Sequence, residues 1–103
     1  MEYKLKISDI AHEDFDEIVK YIMEKLHALN AATRFSDAVI DCYENLKNNP
    51  LIYAICNIPE LAEKKYRLAP AKNYEIIYDV NKTESLVRVH RISYGARNLV
   101  DLV

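Results

Sequence analysis

The run "NYEIIYDV" at residues 73–80, with "NKTE" at 81–84 and "SLVRVHRISY" at 85–94, decides the fold. Tyr74, Ile76, Tyr78 and Val80 alternate with Glu75, Ile77 and Asp79, the period of two expected of a strand with one buried face. "NKTE" is a polar turn, and the run after it is rich in β-branched and aromatic residues. The three pieces predict an antiparallel hairpin. Just before it, "KKYRLAPA" at 64–71 reads as a shorter strand, and Pro70, which has no N–H to give, places it at a sheet edge or a bulge.

The N-terminal half has a different rhythm. Tyr3, Leu5 and Ile7 alternate with Lys4 and Lys6 and predict one strand. Ser8 or Asp9 then caps a helix whose apolar stripe runs through Ala11, Phe15, Ile18, Val19, Ile22, Leu26 and Leu29. The acids Glu13, Asp14, Asp16 and Glu17 read as carboxylates favoured by the positive end of that helix, not as a metal site. Asn30 is placed to cap a second helix with the stripe Ala32, Phe35, Val39, Cys42 and Leu46, which Asn48-Asn49-Pro50 ends. Residues 50–63 have no clean period and read as a loop with a short turn. The expected fold is α+β: an N-terminal strand, then an antiparallel helical hairpin packed on a small, largely antiparallel sheet, in the order β-α-α-β-β-β. Residues 1–103 form a single domain, in keeping with the length of the chain.

Composition narrows the function. The net charge is −2, which argues against specific DNA binding by this chain alone. Charge is uneven, however: residues 1–60 carry 11 acidic and 6 basic side chains, and residues 61–103 carry 5 and 8. An anionic partner would meet the C-terminal half. No apolar run approaches the roughly 18–20 residues of a membrane span, and "MEYKLKIS" lacks the features of a signal peptide, so no membrane association and a cytoplasmic location are expected. Cys42 and Cys56 lack metal-ligand spacing and read as reduced structural thiols. No cofactor or metal is expected.

"RISYGARN" at 91–98 holds the one glycine of the chain, Gly95, between Arg91 and Arg97. A sharp exit from the last strand with positive φ is expected there. Arg67, Arg88, Arg91 and Arg97 are the candidate functional cations, and the competing reading pairs them with Glu75, Asp79 or Glu84 across the sheet. Tyr74 and Tyr78 read as core residues with hydroxyls at the rim. His90 has no ligand-spaced partner and reads as structural.

The element order, together with Ala11, Asp14-Phe15, Glu17-Ile18 and Tyr21-Ile22, "AATRF" at 31–35 with Leu46 and Pro50, "YR" at 66–67, the "NY.I.Y.V" of 73–80 and the "V.R..YGAR" of 89–97, resembles the RelE/ParE family of toxins from bacterial type II toxin–antitoxin pairs. The resemblance implies a toxin silenced by a cognate antitoxin. It also implies one of two targets: ribosome-bound mRNA, which RelE-like members cleave, or DNA gyrase, which ParE-like members act against without a recognised catalytic centre.

RNA cleavage through the 2′-hydroxyl needs a base, a cation for the phosphorane and an acid for the leaving oxygen. By resemblance, Arg97 matches the RelE-like arginine after the last strand, and Lys65 and Arg67 could supply the second-strand cations. The third-strand arginine of RelE-like toxins aligns with Glu75, a charge reversal. Their late tyrosine falls at Val103, leaving Tyr94 and His90 as substitutes. A nuclease would therefore use Arg67, Arg97, Tyr94 and His90, whereas a protein-directed toxin would meet its target with Lys65, Arg67, Arg91 and Arg97. The reversal, the missing tyrosine and the low net charge favour the ParE-like branch, with a RelE-like mRNA interferase and an inactive antitoxin-binding relative as alternatives.

Overall fold

The computed structural model describes residues 2–95 and 99–102. Its elements are β1 (Lys4–Ile7), α1 (Asp9–Glu24), α2 (Leu29–Asn48), α3 (Pro59–Glu63), β2 (Arg67–Ala71), β3 (Tyr74–Asn81), β4 (Leu86–Tyr94) and α4 (Leu99–Leu102). The strands form one sheet in the order β1-β4-β3-β2. β2–β3 and β3–β4 pair antiparallel, and β1 pairs parallel with β4, from Lys4 opposite Leu86 to Ile7 opposite Val89. The expected α+β architecture is the observed one, with that single parallel pairing making the sheet mixed. β2 is an edge strand, the position its Pro70 requires.

Both faces of the sheet are covered. On one, α1 and α2 press Ala11, Ile22, Phe35, Val39 and Leu46 onto Ile76, Tyr78, Val87, Val89 and Ile92. On the other, Leu61 of α3 and Leu99 of α4 enclose Ile77 with Cys56. Burial of the α2 stripe follows its predicted spacing at every position: Ala32, Phe35, Val39, Cys42 and Leu46 are all buried. Cys42 and Cys56 are free and buried, and burial pushes the Cys42 thiol up to about 11. Among the described residues no helix is long and apolar enough to cross a membrane.

The helix boundaries depart from the sequence reading. Ser8 does cap α1, accepting a hydrogen bond from the Ala11 amide at 3.0 Å. The helix stops at Glu24, though, and His27 takes a positive φ of 48° before α2 begins. Leu26 and Leu29, placed in the α1 stripe by spacing alone, are therefore exposed. Asn30 is not the second cap: α2 starts at Leu29 after Ala28, with no side-chain cap. In the loop read as 50–63, Pro59 opens the one-turn helix α3. Its end is closed by Tyr66 N–H donating to Leu61 O and Lys65 N–H to Ala62 O, with Lys65 at φ 59°.

Candidate functional site

The last strand explains the placement of most of the candidate residues. Between Ile77 and Tyr78 on β3 the β4 register shifts, Ile77 facing Arg91 and Tyr78 facing Val89, so His90 is the extra residue of a β-bulge. β1 ends level with Val89, leaving the rest of β4 without a strand on that side. Asp14 of α1 takes its place. Its carboxylate accepts the Ile92 amide at 3.0 Å and receives the Arg91 guanidinium through two hydrogen bonds, of 2.8 and 3.0 Å. Arg91 also donates to Leu102 O at 3.1 Å, joining α1, β4 and α4. Asp14 is thus a structural acid, but the helix dipole is not the reason. α1 begins at Asp9, so residues 13–17 lie beyond the first turn, where that field has faded.

Arg67 sits near the opposite end of the sheet. It stands across from Tyr78 in register and donates to Tyr53 O, while the Tyr78 hydroxyl, wholly buried, donates to Pro50 O at 2.8 Å. Burial pushes the Tyr78 phenol up to about 12, with the neighbouring Arg67 cation pulling the other way. Both side chains hold the loop that leaves α2.

His90, Arg88 and Asp79 meet on the sheet face that carries α3 and α4. Arg88, paired across the strands as the competing reading expected, grips Asp79 through hydrogen bonds of 2.9 and 2.6 Å. His90 brings Nε2 within 3.3 Å of Asp79 Oδ1, without a hydrogen bond between them. Its ring stacks on Tyr66 at 4.5 Å, and Lys64 lies over the far ring at 5.7 Å. Tyr94 pairs instead with Tyr74 on the α1–α2 face, their rings 5.3 Å apart. His90 and Tyr94 are therefore on opposite faces. Arg67 and Tyr94 are two strands apart and four residues out of register, about 13 Å along the sheet.

The sequence-predicted residues are thus not brought together. Arg67 and Arg91 have internal acceptors, Lys65 is exposed at its positive-φ turn, and Arg97 lies outside the described residues, as does Val103. Gly95, at φ +63°, does turn the chain out of β4, its amide donating to Asn73 O at 2.9 Å. Glu75 faces Pro70 and Ser93, and burial raises its carboxyl pKa.

The helices and the Tyr74–Tyr94 end of the sheet leave an open groove of about 920 Å³ between them. Its floor continues an aromatic row, Phe15–Phe35–Tyr74–Tyr94, with centroid spacings of 5.4, 4.7 and 5.3 Å. Ile18, Tyr21, Leu26 and Ile92 are among the other apolar residues of the lining, Glu17 stands on the α1 wall, and Arg34 and Lys72 add positive charge. Burial raises the Tyr74 phenol, and the neighbouring Tyr94 and Tyr21 phenols add to the effect. One signal for this geometry was in the sequence: Asp14 lies inside the apolar stripe, between Ala11 and Ile18, where a carboxylate needs a partner.

Comparison with known proteins places the fold. The toxin–antitoxin complex RelBE2 from Mycobacterium tuberculosis contains a chain that superposes with a TM-score of 0.66 at 18% identity, covering 91% of this chain and 99% of that one. The chromosomal ParDE system from P. aeruginosa gives 0.70 at 15% identity, covering 92% and 98%. A mutant of the E. coli toxin RelE in the free state gives 0.58 at 14% identity, covering 97% and 90%. No curated protein matches the sequence. The sequence itself matches the family described as ParE toxin of type II toxin–antitoxin system, parDE, over residues 5–99. The match spans nearly all of β1 through the start of α4, the same elements that build the groove and its aromatic floor, and the chain belongs to the ParE toxin family of type II toxin–antitoxin systems.

Proposed function

We propose that this toxin arrests bacterial growth by engaging a protein target, DNA gyrase by its resemblance to ParE-like toxins, and that a cognate antitoxin silences it by filling the groove at the Tyr74–Tyr94 end of the sheet. The observation that carries the first half is the engagement of the sheet arginines. A phosphodiester-cleaving site needs cations free to meet a phosphate, and Arg67, Arg88 and Arg91 each already hold an internal acceptor. His90 and Tyr94, the substitutes for acid and base, do not share a face of the sheet. Glu75 brings a carboxylate where RelE-like toxins have an arginine. Arg97, which matches the RelE/ParE arginine after the last strand by resemblance, is proposed to meet the target, so Arg97→Ala is expected to abolish growth inhibition.

The antitoxin half is supported by the groove's chemistry and by the RelBE2 structure, which is a toxin–antitoxin complex. A segment with aliphatic side chains for Tyr21, Tyr74 and Tyr94, and carboxylates for Arg34 and Lys72, matches the lining. Co-expression with the neighbouring reading frame is expected to give one shared elution peak and to restore growth. A toxin that elutes alone beside that product would contradict the antitoxin assignment.

A further inference from the structure

From Asn48 to Pro59 the chain carries no charged residue, in a protein that is 29% charged. This is the connection from α2 to α3, where solvated polar residues would be the ordinary choice. It exposes three aliphatic side chains instead: Leu51 at 42%, Ile52 at 57% and Ile55 at 40%. The loop beneath them is firmly tied. Tyr78 donates to Pro50 O and Arg67 to Tyr53 O; Ile52 N–H donates to Asn49 O, Cys56 N–H donates to Tyr66 O, and Ile55 bridges to Arg67. A wholly buried tyrosine and a half-buried arginine therefore hold a segment whose own large side chains face water. Preorganisation of this kind lowers the entropy lost on docking.

We propose that Leu51, Ile52 and Ile55 are the apolar anchor by which the toxin grips its protein target, seated in an uncharged cleft of that target, with Lys65 at the rim facing a target carboxylate. The proposal rests on the reading of the chain as a protein-directed toxin. Nucleic acid is a poor occupant, because the segment has no cation and the adjacent Arg67 is turned inward. A second copy is a poor one too. Three half-exposed aliphatic side chains fall far short of the roughly 800 Å² per partner that a stable dimer buries, but they suit the central anchor of a larger mixed interface. The antitoxin has the groove at the other end of the sheet. Lys65, exposed and held at φ 59° by the α3 cap, flanks the anchor because Tyr66 next to it pairs with Cys56.

The test uses the full chain carrying Ile52→Asp, with Ile52→Thr and Leu51→Thr as milder variants. Each is expressed alone for growth inhibition, purified with its antitoxin for elution and melting, and titrated against purified DNA gyrase. Growth inhibition should be lost with Ile52→Asp and weakened with the milder pair, and gyrase affinity should fall at least about 30-fold for Ile52→Asp, the loss of a hot-spot residue. Antitoxin co-elution and melting temperature should not change. Full growth inhibition by Ile52→Asp would overturn the proposal. Loss of antitoxin co-elution at unchanged melting would also overturn it, by assigning the loop to the antitoxin. The target reading is judged separately, on the unmodified toxin: if that toxin inhibits growth but does not bind gyrase, the gyrase assignment fails, and the loop stands or falls by the growth result.

Discussion

At the end of the sheet marked by Arg67 and Tyr78, a half-buried arginine and a buried tyrosine reach out and hold a loop down; at the end marked by Tyr74 and Tyr94, aromatic rings are left beside an open groove. The same residue type serves opposite ends in the two places. Tyr78 is wholly buried with its hydroxyl engaged, whereas Tyr94 is 54% exposed and its ring floors a cavity. Position in the sheet, not residue identity, decides which tyrosine is scaffold and which is surface. The arginines teach the same lesson: those inside strands found acceptors within the fold, so positive charge in the C-terminal half is not a measure of charge available to a partner.

The largest effect should come from the residue that closes the edge beside the groove. Asp14→Ala would leave Arg91 half-buried without its carboxylate and the Ile92 amide without an acceptor, at a cost of about 2–4 kcal/mol by chemical denaturation. A loss under about 0.5 kcal/mol would show that water replaces the carboxylate and that the edge is not closed by it.

Tyr78→Phe, at the tied end, should cost about 1–2 kcal/mol by removing the donor to Pro50 O. It should also change the response to alkali. The unfolded phenol ionises near 10 and burial holds the native one to about 12, so the native state binds the proton more tightly. That contribution is whole below about pH 10 and is lost as pH rises through 12. Tyr78→Phe should therefore flatten part of the fall in stability between pH 10 and 12. Tyr43, also pushed to about 12, and Cys42, pushed to about 11, leave the remainder.

The smallest stability effect belongs to the open end. Tyr94→Ala should cost no more than about 1 kcal/mol, since its ring is half in water. Antitoxin affinity should nonetheless fall at least about tenfold by calorimetry, the loss of one well-placed aromatic at an interface. If Tyr94→Ala destabilised the fold as much as Tyr78→Phe and left antitoxin binding intact, the contrast between the two ends would collapse.

The sequence made the strands and the α2 stripe readable because each buries one face at a fixed period. It was silent where periodicity runs across a break. Leu26 and Leu29 continue the α1 stripe in register, yet the chain leaves the helix before them. The β4 bulge left a trace that is visible afterwards: His90 and Arg91 are consecutive polar residues between Val89 and Ile92, breaking the alternation by one position. Candidate site residues were readable as types and not as partners. Arg91 and Asp14 lie 77 positions apart, and only the fold brings them together.

A protein-directed toxin, as proposed above, stops growth without cutting RNA. The most direct test induces the unmodified chain in bacteria lacking the antitoxin and maps mRNA 5′ ends alongside a DNA-damage reporter within the first minutes of growth arrest. Filamentation and reporter activation with intact message ends are the predicted result. New mRNA ends at ribosome-occupied codons, with translation arrest and a silent reporter, would contradict it.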